Sequence, residues 1–354
     1  MAVTPRPEDG DPAREDPARD DPARDDPAGG GPGPRMLVLR ALGLGDLLTA
    51  VPALRALRRG SRSAAGDGAR IVLAAPDALA PLARATGAVD AVLDTSGLDG
   101  PPLRAGPVDT AVNLHGSGPE SHRLLAATDP GRLLAFAHPE FPELGGPEWD
   151  AGEHEAARWC RLVTAYGFDA DPADLDLPRP QTPSPAPGAV VVHPGAAYPA
   201  RRWPAERFAA VAAALRDAGE RVVVTGGAGE TALARRVADL AGLGADADLS
   251  GRTPLPALAA LIAGARLVVC GDTGVAHLAT AYRTPSAVLF GPTPPDRWGP
   301  PPGRPEHAVL WAGRHGDPHG AAPDPGLLEI TVDEAVRASA RALAAHDRRA
   351  LQHC

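Results

Sequence analysis

From residue 36 onward, short apolar runs alternate with longer stretches in which Ala and Leu recur at helical spacing among Arg and acidic residues. Short unbroken apolar runs between turn residues read as buried strands, and the amphipathic stretches read as helices. The first half places strands at Met36–Arg40, Arg70–Ala75, Ala91–Asp94, Thr110–Leu114 and Leu133–Ala137. Helices fall at Leu47–Arg59, Asp77–Thr86, Glu120–Ala127 and Glu153–Tyr166. The second half repeats the pattern, with strands at Ala189–His193, Arg221–Thr225, Arg266–Cys270 and Ser286–Phe290. Its helices are Ala205–Ala218, Glu230–Ala241, Leu255–Ala263 and Thr273–Tyr282, and a last one covers Asp333–Ala345. Strand–helix alternation of this kind predicts β-α-β units and parallel sheets.

Two interruptions divide the chain. The run Pro178–Gly188 is too rich in proline to be an element interior and behaves as a stiff extended spacer. It sets a boundary between an N-terminal domain at 36–180 and a C-terminal domain at 189–331, with 181–188 as linker and 332–354 as a closing helix and tail. Any hinge motion is expected near Pro178–Gly188. The other interruption is residues 1–35, an Asp-Pro-Ala-Arg-type repeat with little to bury, read as a solvated disordered tail.

Composition narrows the class. The 354 residues carry 35 basic and 44 acidic side chains, a net charge of −9, which argues against a nucleic-acid binder. Cys160, Cys270 and Cys354 are too few and too scattered for a disulfide framework or a zinc pattern. No apolar stretch is long enough to span a membrane, and the N-terminus lacks an apolar leader. A cytoplasmic protein is expected, at the inner face of the membrane only if its substrate is a lipid.

Four strand-to-helix loops carry candidate chemistry. In the first, Gly43-Leu44-Gly45-Asp46 follows the first strand. Either Asp46 caps the helix beginning at Leu47, or it is a carboxylate at a cleft mouth that takes a proton from a substrate hydroxyl. The second loop, His193-Pro194-Gly195 through Arg201-Arg202-Trp203-Pro204, offers two guanidinium groups suited to a diphosphate, or simply a solvated pair beside a packed Trp. The third, Gly226-Gly227-Ala228-Gly229-Glu230, allows close approach of a nucleotide with Glu230 on the ribose hydroxyls, or is an ordinary β-α turn.

The fourth is Gly271-Asp272-Thr273-Gly274-Val275-Ala276-His277. Free amides where a helix starts, at Thr273, form an anion site. Asp272 caps that helix or orders sugar hydroxyls, and His277 lies one turn inside. Phe290-Gly291-Pro292-Thr293 points to the same cleft. His315, Asp317 and His319 sit in a Gly/Pro loop without a scaffold for a metal, so no metal site is expected.

In this order, the motifs Gly45-Asp46…Pro52-Ala53-Leu54, His193-Pro194-Gly195…Arg201-Arg202-Trp203-Pro204, Asp272–Leu278 and Phe290–Thr293 resemble glycosyltransferase family 9, which includes the bacterial heptosyltransferases. The resemblance covers residues 36–312. It implies a GT-B architecture, α/β with two Rossmann-like domains whose parallel sheets face across a cleft. It also implies inverting transfer of a heptose-like sugar from a nucleotide diphosphate donor, ADP-linked, to a hydroxyl of a cell-envelope glycan or glycolipid such as the lipopolysaccharide core. Neither metal nor separate cofactor is implied, and peripheral membrane contact follows only from a lipid acceptor.

By the same resemblance Asp46 is the general base, Arg201 neutralises the leaving diphosphate, and Thr273, Gly274 and His277 line the diphosphate and sugar pocket. Asp272 holds donor hydroxyls and Glu230 the ribose. The chain departs from the pattern at Ala196 and Ala197, where relatives often carry hydroxyl residues. A nucleotide-sugar epimerase of the same architecture and a non-catalytic nucleotide-sugar binder are the alternatives.

Overall fold

The computed structural model describes residues 33–65 and 68–352. The first half, in chain order, is β1 (Arg35–Leu39), α1 (Leu44–Ala65), β2 (Arg70–Ala75), α2 (Ala80–Ala85), β3 (Ala91–Asp94), β4 (Thr110–Asn113), α3 (Glu120–Ala126), β5 (Arg132–Leu134) and α4 (Glu155–Ala165). The second half is β6 (Val190–His193), α5 (Ala205–Asp217), β7 (Val222–Val224), α6 (Thr231–Leu240), α7 (Leu255–Ala263), β8 (Leu267–Gly271), α8 (Gly274–Tyr282), β9 (Ser286–Phe290), α9 (Pro295–Trp298), β10 (His307–Trp311), α10 (Pro325–Glu329) and α11 (Val332–Gln352).

Each half builds one five-stranded parallel sheet, ordered β3-β2-β1-β4-β5 in front and β10-β9-β8-β6-β7 at the rear. In the front sheet the order reverses direction beside β1, and in the rear sheet between β6 and β8. At such switch points neighbouring loops part and open a crevice at the carboxyl ends of the strands. The loops singled out after β1, β6 and β8 are the ones at these switch points.

The central strands are mostly apolar because helices cover both faces of each sheet. Val190, Val191 and Val192, like Leu267, Val268 and Val269, are fully buried. One continuous apolar cluster passes from α1 in the front half to α7 and α8 in the rear half, so the two sheets share packing rather than only a tether. The last helix, α11, lies across α5 and the strands β8, β9 and β10, adding its alanine face to the rear core.

The elements differ from the sequence expectation at several points, of which three bear on the fold and site. Arg35, assigned to the tail, is the first residue of β1, and its backbone N–H donates to Asp109 Oδ2 at 2.7 Å. Residues 1–32 of the expected tail, and Cys354, lie outside the described residues. Helix α1 starts at Leu44, three residues before the expected Leu47, with Asp46 Oδ2 accepting from the Gly43 N–H at its start. Strand β10 was not expected, since it is only half-buried and a proline-rich run precedes it.

Candidate active site

The front wall grows from the end of β1. Arg40 follows the strand and is buried, while Asp46 stands in the first turn of α1 with 28% of its side chain exposed. Asp46 Oδ2 accepts from the Gly43 N–H at 3.1 Å, so the carboxylate does cap its own helix, from inside the first turn rather than ahead of it. Its other oxygen, Oδ1, lies 3.3 Å from Arg40 Nη2. The Asp46 carbonyl accepts from Arg40 Nε at 2.9 Å and from the Thr49 hydroxyl at 3.0 Å. Asp46 therefore caps its own helix, and it also lines the cavity between the halves.

The rear wall is made by the loops after β6 and β8. Arg201 ends a single tight turn, Pro199–Arg201, and lies over the Tyr198 ring at 5.6 Å. Its Nη1 is 4.0 Å from Asp272 Oδ2, and its buried Nε has no hydrogen-bond partner. Thr273, not Asp272, is the residue from which α8 springs, and its buried hydroxyl is likewise unpartnered. Buried donors without acceptors cost energy unless a ligand or water meets them. The start of α8, at Thr273 and Gly274, also lines the cavity, and the free amides of a helix start suit an anion.

Burial sets the ionisation of this wall. Asp272 is 6% exposed, and burial pushes its carboxyl up to about 6, with Arg201 opposing the shift and Asp46 adding to it. His277 is pushed down to about 4, first by burial and then by His154, so its imidazole is neutral at pH 7. The His277 ring meets Trp298 edge-on at 5.9 Å.

The two walls enclose a cavity of about 480 Å³. Asp46 from the front half and Arg201, Asp272, Thr273, Gly274 and His277 from the rear half all line it. The fit between halves is close: a Cβ added to Gly45 would lie 2.8 Å from the His277 ring. Two expected residues do not line the cavity. Arg202 turns away and donates from Nε to the Ala196 carbonyl at 2.9 Å. Glu230 is occupied by its own loop, accepting from the Gly227 N–H at 2.8 Å, and its carboxylate fills the space beside Gly195 that a side chain there would need.

The structure adds residues that the sequence reading did not place in the cleft. Trp298 and His319 line the cavity, with His319 edge-on to Tyr198 at 4.6 Å. His115, at the end of the strand next to β1, has an unpartnered Nδ1 and is pushed down to about 4 by burial and by Arg40. A His or Trp in a loop carries no sequence signal of which cavity it will meet. Among the described residues no three His, Cys, Asp or Glu side chains gather as a metal site. Cys160 and Cys270 are buried free thiols, Cys160 pushed up to about 12 by burial.

Two parallel α/β sheets whose switch-point loops face each other across one cleft define the GT-B class. Residues 153–319 match the model of glycosyltransferase family 9 (heptosyltransferase). Over 109 residues the chain is 36% identical to lipopolysaccharide heptosyltransferase 2 of Escherichia coli (strain K12), which covers 29% of this chain and 31% of that protein. The chain thus spans about a third of the length of the first curated relatives it matches.

Solved structures share the fold over almost the whole chain. A family 9 glycosyl transferase from Veillonella parvula DSM 2008 superposes with TM-score 0.71 at 20% identity, covering 88% of this chain and 97% of its own. The E. coli ADP-heptose lps heptosyltransferase II superposes with TM-score 0.67 at 21% identity, covering 88% and 99%. Over residues 153–319 the chain is thus similar to glycosyltransferase family 9 (heptosyltransferase), and it shares the GT-B fold of these solved structures.

Proposed function

We propose that the protein is an inverting, metal-independent glycosyltransferase that moves a heptose-like sugar from an ADP-linked donor to a hydroxyl of a cell-envelope glycan or glycolipid. One observation carries the reading: a carboxylate and a cationic, amide-lined tip stand on opposite walls of the same cavity, Asp46 on one and Arg201 with the start of α8 on the other. The names of the relatives support a heptose donor and an acceptor of the lipopolysaccharide-core type. With such substrates the protein works in the cytoplasm, at the inner face of the membrane if the acceptor is a lipid. No helix among the described residues is long and apolar enough to cross a membrane.

In this mechanism the acceptor hydroxyl gives its proton to Asp46 as its oxygen attacks the anomeric carbon. The bond from that carbon to the diphosphate breaks on the opposite face, and configuration inverts. The departing oxygens carry their charge to Arg201 and to the amides and unpartnered hydroxyl at Thr273–Gly274. An epimerase would need acid and base groups clustered around the donor sugar. Here the cavity is lined by only two acidic residues, and one of them, Asp46, comes from the opposite half. Release of nucleoside diphosphate from ADP-, UDP- and GDP-sugars, dependent on added acceptor, tests the reading; acceptor-independent conversion of the donor to its epimer would replace it.

A further inference from the structure

We infer that Arg40 is the positioning residue for Asp46, and that Glu155 positions Arg40 in turn; this rests on Asp46 acting as the base. The Arg40 side chain is 1% exposed and lies under the floor of the cavity, outside its lining. Its guanidinium is held on every side. Nη1 donates to the Leu114 carbonyl at 2.6 Å, and Nη2 to Glu155 Oε1 at 3.0 Å and to Thr49 Oγ1 at 3.4 Å. The plane lies over the Trp159 ring at 4.7 Å. Glu155 is fixed by the Trp159 indole N–H at 2.9 Å and by Arg158.

The arrangement is more than a buried ion pair. A single guanidinium faces two carboxylates, and only one of them, that of Asp46, opens to the cavity. Arg40 grips Asp46 twice, at its carbonyl and at Oδ1, while the Gly43 N–H holds Oδ2. With both oxygens tethered at one side, the free lone pairs of the carboxylate are fixed toward the cleft. Lysine, a single point charge, cannot reproduce a grip that spans carbonyl and carboxylate. Without Arg40, Glu155 would keep its pairing with Arg158 while Asp46 would lose both its ion pair and the grip on its carbonyl, and would be free to swing from its place.

The site has a second tie. His154, the residue before Glu155, donates from Nε2 to the Gly299 carbonyl of the rear half at 3.0 Å, next to Trp298 in the cavity wall. Helix α4 therefore holds the Arg40 hub at its first residue and touches the opposite wall one residue earlier.

The test measures kcat and KM as nucleoside diphosphate release, with the donor and acceptor that support turnover, alongside ADP affinity by calorimetry. Arg40→Gln is expected to lower kcat per folded molecule by about 10²-fold, the cost of a base displaced by about an ångström. Donor KM and ADP affinity should stay within about twofold, and Arg40→Lys should recover about tenfold of the loss. Glu155→Gln, which keeps the shape of the floor, should lower kcat by about tenfold at unchanged KM. If Arg40→Gln does not fold, Arg40→Lys and Glu155→Gln decide by the same split. Unchanged kcat per folded molecule, or kcat and KM degrading together with melting temperature, overturns the positioning role. Asp46→Asn, measured beside them, separates the two readings: its retained turnover would defeat the base itself, whereas its loss with intact Arg40 and Glu155 variants would defeat only the positioning.

Discussion

Leu44 and Gly274 meet where the first turn of α1 touches the first turn of α8, and a Cβ on Gly274 would lie 2.9 Å from Leu44 Cβ. That contact fixes how far Asp46, two residues beyond Leu44, stands from the anion-binding tip of the rear half. Gly274 has no side chain because the two helix tips could not otherwise close on one cavity.

Gly274→Ala should therefore reduce turnover by about 10- to 10²-fold through displacement of the facing wall. Its stability cost should be the 1–3 kcal/mol, roughly, of a local overpacking. Leu44→Gly in the same chain, which removes the facing Cβ as well, should restore turnover by giving the methyl room. Steady-state kinetics and thermal melts of the two variants check this; a single variant with full activity would show that the contact does not set the cleft.

Arg201 and Arg202 adjoin in sequence but part in space. Arg201→Ala should weaken nucleoside diphosphate binding by about 10- to 100-fold, the loss of a charge-assisted hydrogen bond of about 1.5–3 kcal/mol. Arg202→Ala should leave affinity within about twofold, since that side chain serves the Ala196 carbonyl. Calorimetry with ADP distinguishes them, and equal losses in both would contradict the assignment.

The buried ionisable groups give stability a defined pH dependence. His277 and His115, each pushed down to about 4, and His307, pushed down to about 3 by burial, must be neutral in the fold. Their contribution is complete above about 6.5 and is lost as pH falls toward 4. Asp272 works in the opposite sense. Pushed up to about 6, it contributes stability that is fully present below about 3.9 and is lost as pH rises through 6, a difference on the order of 3 kcal/mol. Wild-type melting temperature should thus fall between pH 6.5 and 4, and more steeply in Asp272→Asn. A shallower slope in that variant would refute the buried, proton-retaining state of Asp272.

Much of this architecture was legible in the sequence because strands covered on both faces become unbroken runs such as Val190–Val192. The edge strand β10 escaped because it is only half covered. At the site, strand-end loops announced Asp46, Arg201 and Thr273, since glycines and polar residues after an apolar run mark a crevice. The Arg40 hub could not be read in that way: Leu114 and Glu155, which complete it, lie far along the chain, and only the fold brings them together.

The linker shows the same limit. Pro178–Gly188 was expected to hinge, yet Arg179 Nη1 donates to the Ala263 carbonyl and the Gly188 N–H to the Gly264 carbonyl, both at 2.8 Å, which fastens the run to the rear half. The change of allegiance comes earlier. Asp174 pairs with Arg55 and Arg59 of α1, whereas Asp176 pairs with Arg283 and Arg304 of the rear half. Proline content revealed stiffness, but not which body the stiff segment joins.

Asp46→Asn carries the most direct test, because the amide keeps the size and the Gly43 contact of the carboxylate while removing its ability to take a proton. Turnover and ADP affinity should be measured on the same preparation. The proposed chemistry predicts a kcat lowered by about 10²- to 10⁴-fold, the usual worth of a general base, with ADP affinity unchanged. Turnover within a few-fold of wild type at unchanged affinity would contradict it.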